Sequence, residues 1–154
     1  MVTTDSKSAA LHLRVVTPDR TVVDRKVKAV TFMGVDGSYG ILPRHAALMT
    51  ATKPGIVKIT HLDDSVERML VTEGFAEVRD NVLTLLCEAG ELAHEVDVER
   101  AKEAEARARQ QLADIDKVKG DLPRAEAESA LRRAMLRQLL AGGRQGGPTS
   151  GGNY

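Results

Sequence analysis

Short runs of alternating apolar and polar residues fill the first ninety positions, and three- and four-residue spacing takes over after them. Leu11, Leu13 and Val15 alternate with His12, Arg14 and Val16 before Pro18-Asp19. Val27, Ala29 and Thr31 alternate with Lys28, Val30 and Phe32 and stop at Gly34. Pro54-Gly55 opens a run through Ile59, and Leu62-Asp63-Asp64-Ser65 turns it into Val66–Thr72. Gly74 interrupts, Phe75–Val78 follows, and Arg79-Asp80-Asn81 turns into Val82–Cys87. Period-two runs between turn residues predict short antiparallel strands in a sandwich or barrel.

The second half predicts two helices. Asp97 is placed to cap the first, and Glu99 suits the positive end of its dipole. Val98, Ala101, Ala104, Ala108, Leu112 and Ile115 share one stripe. Lys117-Val118-Lys119-Gly120 breaks the pattern, and Asp121 with Pro123 suits the start of a second helix. Its stripe is Ala127, Ala130, Leu131, Ala134 and Met135, stopped by Gly142-Gly143. Both stripes are rich in alanine, so they bury little area. The arm is then either a movable hairpin or one permanently docked.

Composition sharpens the division. Val, Ile and Thr supply 23 of the 77 residues from Leu11 to Cys87, but two of the 43 from Glu99 to Ala141. β-Branched side chains suit sheets and lose rotamer freedom in helices, so the fold class is α+β, an N-terminal antiparallel β-sandwich followed by a C-terminal α-helical hairpin. The expected organisation is a flexible arm at 1–10, a sandwich at 11–93, a hairpin at 94–141 and a flexible Gly-rich tail at 142–154. Among the aromatics, Phe32, Tyr39 and Phe75 fall in the strands, so the sandwich core must be mostly Val, Leu and Ile.

Charge and chemistry exclude more than they assign. Lys plus Arg equals Asp plus Glu at 22 each, which argues against a nucleic-acid binder. No apolar run approaches the ~18–20 residues of a membrane span, and no secretory signal opens the chain. The single cysteine, Cys87, rules out an internal disulfide and lies in an apolar run, as a buried inert thiol would. His12, His45, His61 and His94 are scattered, without metal-ligand spacing. Gly34, Gly37 and Gly40 match no phosphate-binding fingerprint and are read as shaping a loop. No catalytic residue is predicted.

The segment GSYGILPRHAALMT, Gly37 to Thr50, resembles the G-x-x-G-I-L-P-G-H-A-P-L-L-T signature of the epsilon subunit of bacterial F-type ATP synthases. Lys53-Pro54-Gly55, then VTEGFAEVRDNVLTLL from Val71, then VDVERAKEAEARA from Val96 follow in the family's order. Arg44 stands where glycine is usual, Ala47 where proline is usual and Ser38 where an acid is frequent. The resemblance implies a non-catalytic rotor subunit that binds the gamma subunit and the c-ring and couples proton translocation to ATP synthesis. Its hairpin, when extended, would reach the alpha and beta subunits and inhibit ATP hydrolysis. It implies peripheral association with the cytoplasmic face of the bacterial membrane through the complex, and a loop around Ser38 and His45 that faces the c-ring. His45 could equally bond local backbone.

Some members bind a regulatory ATP on the compact hairpin through an I/L-D-x-x-R-A motif and arginines of both helices. No cofactor is required by the resemblance. Here Asp97, Arg100 and Ala101 match that motif, Arg107 lies one heptad after Arg100, and Arg133 and Arg137 match the second-helix pair. Residues three and four positions from Arg133 and Arg137 include no acid, so two like charges one turn apart would welcome an anion. They could instead pair with first-helix acids such as Glu103 or contact the catalytic subunits. Asp97 could accept from the adenine amino group or act simply as a cap. The competing reading of the whole chain is a stand-alone β-sandwich binding module with a helical partner-recruiting arm.

Overall fold

A computed structural model describes residues 10–117 and 124–143. The chain forms two compact units that divide between Leu92 and Ala93. Ten strands make the first: β1 (Leu11–Val16), β2 (Thr21–Val27), β3 (Ala29–Gly34), β4 (Gly37–Ile41), β5 (Leu48–Thr52), β6 (Gly55–Thr60), β7 (Val66–Val71), β8 (Gly74–Arg79), β9 (Val82–Cys87) and β10 (Gly90–Leu92). One sheet path runs β10-β7-β6-β3-β5-β8-β9-β1-β2, with β4 on β3. Its two halves meet at a single register pair, Gly34 with Thr52. They enclose one core of Leu11, Leu13, Val15, Phe32, Ile41, Ile59, Met69, Leu83 and Leu85 with their neighbours. This is the expected sandwich. Phe32 is the one buried aromatic in that core, stacked on Tyr39 with ring centroids 5.5 Å apart.

Several details depart from the sequence reading. Val27 and Ala29 do not share a strand: β2 ends at Val27, and Lys28 donates its amide to the Thr60 carbonyl as β3 begins. The change of strand shifts the phase, so Val30 and Phe32 are buried while Thr31 is exposed. β2 carries Asp24-Arg25-Lys26 on an edge, β4 has two glycines, β5 turns Met49 outward, and β10 has three residues. β2 does not alternate in burial, and β10 is too short to show a period. β4 and β5 alternate, but with glycine, threonine and alanine among their alternating positions, and none of the four was expected from the pattern. Gly37–Thr50 is therefore not one loop but β4, a connection and β5. Nor is the sandwich wholly antiparallel. β1 runs parallel to β9, His12 facing Val82 and Val16 facing Leu86, which nearly the whole sandwich connects as crossover.

Two local devices hold strand ends. Asp80 (φ 49°) and Asn81 (φ 62°) are both left-handed and join β8 to β9 as a two-residue hairpin. Gly74 must be glycine, because a Cβ there would lie 1.8 Å from the Leu86 carbonyl oxygen.

In the second unit a 3-10 turn (Ala93–Glu95) precedes α1 (Val98–Lys117) and α2 (Arg124–Gly142). Asp97 caps α1: its Oδ1 accepts from the Arg100 amide at 3.1 Å and its carbonyl from the Ala101 amide at 3.0 Å. The turn around Gly120, the Asp121 cap and Pro123 lie outside the described residues, as do the tail from residue 144 and the arm before Ala10. Ala101 and Ala108 are buried on α1, and Ala127 and Ala134 on α2. Met135 is half exposed, contrary to its placement in the buried stripe, and Leu140 is buried instead. The leucines of α2 lie largely on the half of the helix away from its alanine stripe, which leaves its periodicity without a single apolar face.

Candidate functional site

Three places bring chemistry together. The first is the connection after β4. Ser38 lies exposed on β4, opposite Met33, while His45 lies in the segment leading to β5. The His45 amide donates to the Leu42 carbonyl at 3.1 Å, and its ring Nδ1 is 2.7 Å from the Ala46 carbonyl oxygen. His45 is thus held by local backbone. Arg44 sits at φ 64°, in the left-handed region, which explains why glycine suits this place in the signature. Its amide donates to Asn81 Oδ1 at 2.9 Å, and Asn81 Nδ2 donates to the Ala10 carbonyl at 2.7 Å. One asparagine ties the β8–β9 turn, the start of β1 and the signature segment. From sequence Asn81 showed only its turn propensity.

The second place is the outer face of β1, β9, β8 and β5. Register pairs set Val16, Leu86, Phe75 and Ala51 side by side across four strands. Phe75 is 58% exposed, Leu86 49% and Met49, one row away, 71%. A groove of about 650 Å³ runs along this row, lined also by Thr17, Pro18, Glu73 and Cys87. The next row is polar: Arg14, Thr84 and Glu77 lead to Met49. Asp24 pairs with His12 and lies 3.6 Å from Arg14, and the His12 hydrogen bond holds its carboxyl below the usual range. An exposed apolar row with a polar border has the anatomy of a protein-binding surface. Cys87 at its end is no nucleophile, since burial pushes its thiol up to about 11.

The third place is the hairpin. Arg100 and Arg107 are exposed on one stripe of α1, and Arg133 and Arg137 are half-buried one turn apart on α2. Gln138 Nε2 donates to Glu105 Oε2 at 2.5 Å and lies 3.5 Å from the Ala101 carbonyl oxygen, and Arg124 Nη1 donates to Asp116 Oδ1 at 2.5 Å, which together fix an antiparallel register. In that register Arg133 and Arg137 fall level with the stretch between Arg100 and Arg107, on the same flank of the helix pair. Glu103 pairs with Arg107 at 3.7 Å rather than with the second helix. Arg133 Nη1 donates to Ser129 Oγ at 2.6 Å, and Arg137 is engaged as well. Ser129 is a neutral partner, so the absence of acids near Arg133 in the sequence does not leave its guanidinium without a hydrogen bond. Among the described residues no group of His, Cys, Asp and Glu could hold a metal, and no helix is long and apolar enough to cross a membrane.

Residues 10–93 match the family ATP synthase, Delta/Epsilon chain, beta-sandwich domain, and residues 94–138 the family ATP synthase, Delta/Epsilon chain, long alpha-helix domain. The chain belongs to the ATP synthase delta/epsilon chain family. It is 43% identical over 135 residues to the ATP synthase epsilon chain of Symbiobacterium thermophilum, covering 87% of this chain and 94% of that one. The epsilon chain of Nitratidesulfovibrio vulgaris is 38% identical, with 86% and 96% covered. In fold, the chain is similar to one in the Euglena gracilis mitochondrial ATP synthase, with a TM-score of 0.72 at 23% identity over 87% of this chain and 81% of that one. Another likeness, to a chain in the Tetrahymena thermophila mitochondrial ATP synthase central stalk and c-ring, has a TM-score of 0.56 at 16% identity over 84% and 95%.

Proposed function

We propose that this chain works as the epsilon subunit of a bacterial F-type ATP synthase, a non-catalytic part of the central stalk. The observation that carries this reading is 43% identity across 94% of an ATP synthase epsilon chain. The sandwich binds the gamma subunit and the c-ring and so turns with them at the cytoplasmic face of the membrane, held there by the complex. Its apolar row of Val16, Leu86, Phe75 and Ala51 supplies the gamma-binding surface, and the signature segment with Ser38 and His45 meets the c-ring. A single-core sandwich suits torque transmission, because close-packed interiors deform little under load.

The hairpin does the regulating. Extended, it reaches the alpha and beta subunits and inhibits hydrolysis. Compact, it binds ATP between the two helices, with guanidiniums of Arg100, Arg107, Arg133 and Arg137 on the phosphates and Asp97 near the adenine amino group. The α1 register supports this reading, since it sets both arginine pairs on one flank. The capping bond uses Asp97 Oδ1 and leaves Oδ2 for a ligand. Binding to the compact form alone would draw the equilibrium toward it and relieve inhibition when ATP is plentiful.

Purification of the enzyme from native membranes tests the main reading. The chain should co-purify with alpha, beta and gamma, and Phe75→Glu should release it from gamma while the isolated chain stays folded. Isolation only as a free monomer would overturn the assignment. Calorimetric titration with Mg-free ATP tests the nucleotide: no heat at millimolar ATP, or unchanged affinity when Arg133 and Arg137 are both alanine, removes the site.

A further inference from the structure

The seam between α1 and α2 has little shape of its own. Besides Leu140, buried near the end of α2, its buried positions are Ala101 and Ala108 on α1 and Ala127 and Ala134 on α2. Each pair repeats after seven residues. Small, like side chains at equal spacing fit nearly as well after one helix slides along the other, so the alanines alone do not choose a register. Among the described residues, Arg124 and Gln138 make polar side-chain contacts across it. Arg124 Nη1 donates to Asp116 Oδ1 at 2.5 Å, but both side chains are more than half exposed, where solvent screens such a pair. Gln138 reaches the Glu105 carboxylate, whose side chain is 22% exposed and is held from its other side by Arg109 at 2.6 Å. A hydrogen bond to a sheltered carboxylate is the stronger kind.

We propose that the Glu105–Gln138 hydrogen bond is the register pin of the hairpin and that its rupture is the step that frees α2 from α1. A sheltered polar pair in a seam lined by small apolar residues favours a single alignment, because a slipped alignment takes the carboxylate and the amide out of reach of each other. The Arg109 and Gln138 contacts also hold the Glu105 carboxyl below its usual range, so the pin stays charged at neutral pH. The same pin decides which arginines share a flank: a slip of one heptad would carry Arg133 and Arg137 away from the level of Arg100 and Arg107. The register half of the proposal stands on the contacts alone. The release half rests on the switching hairpin proposed above.

Amide hydrogen exchange on the full chain tests the pin. Glu105→Ala and Gln138→Ala should each speed exchange in both helices by about tenfold while leaving the sandwich strands at parent rates. The double variant should exchange no faster than the faster single one, because both remove the same bond. Exchanging the partners, with Glu105→Gln and Gln138→Glu together, rebuilds the bond with donor and acceptor reversed. It should bring the helices back to within about threefold of parent. Helix exchange within twofold of parent in either single variant, or additive effects in the double, would overturn the pin. Hydrolysis by the reconstituted complex reads the release half separately. Stronger inhibition by Gln138→Ala is the expected result, and unchanged inhibition with faster helix exchange overturns the switching reading while the pin stands.

Discussion

Arg44 shows how one residue carries both a family pattern and a local cost. Its φ of 64° places a β-carbon where L residues are disfavoured, and the signature's usual glycine avoids that. Arg44→Gly should therefore stabilise the sandwich by about 0.5–1 kcal/mol, the left-handed penalty less glycine's extra chain entropy, read as a shift in denaturant midpoint at unchanged slope. Cys87 gives a pH test. Burial raises its folded pKa from 9.0 to about 11, so the folded chain holds the proton more tightly than the unfolded one. Its contribution is whole below pH 9 and is lost as pH rises toward 11. Denaturation across that window should show a decline in stability that Cys87→Ala reduces. At this scale the sequence disclosed conformations better than partnerships. Asp80-Asn81 was legible as a turn because short polar residues tolerate φ above zero, whereas the bond from Asn81 to Ala10 joins positions 71 apart and leaves no local trace.

Elements were legible where one face alone is buried. β1, β6, β8 and β9 show that alternation of burial; β1 was read from its alternating residues, and β6, β8 and β9 from runs bounded by turn residues. Edge strand β2, glycine-bearing β4 and three-residue β10 were not, since charge, missing side chains and shortness each erase the period. The α1 start was readable because its cap is local, and it can be tested locally. Asp97→Ala should destabilise the first turn of α1 by about 1 kcal/mol, seen as faster exchange of the amides near Arg100, while Asp97→Asn should keep the cap. If Asp97 also holds the adenine amino group through charge, Asp97→Asn weakens ATP binding with α1 intact. Equal ATP affinity in parent and Asp97→Asn leaves Asp97 a cap and nothing more. The arginines were singled out by the resemblance and by the lack of acids around Arg133 and Arg137, and their alignment was not readable, because Gln138 and Glu105 meet only once the helices pair.

For the whole molecule, composition changes near residue 94, and the chain forms two compact units that divide between Leu92 and Ala93. Every residue of the sandwich core lies between Leu11 and Leu92. A chain ending at Ala93 should accordingly give a β-type circular dichroism spectrum and one cooperative thermal transition, and it should bind gamma without inhibiting hydrolysis. An unfolded truncated chain, or one that inhibits fully, would refute this. The parallel pairing of β1 with β9 has a further consequence, for the order in which the molecule forms. β1 leaves the ribosome first and can pair with β2 at once, yet its other edge waits for β9, as the Cys87 thiol waits to reach the Val16 carbonyl 71 positions back. Closing so long a loop before any reward makes the sandwich the slow half of the chain, with an apolar strand edge open to wrong partners in the interval. Each helix of the hairpin is made of near-neighbour contacts, the pairings named between the helices span at most 37 positions, and the hairpin can form in a small fraction of that time. The half synthesised last is thus the half ready first, and a chaperone's clients among the nascent chains would be caught by β1.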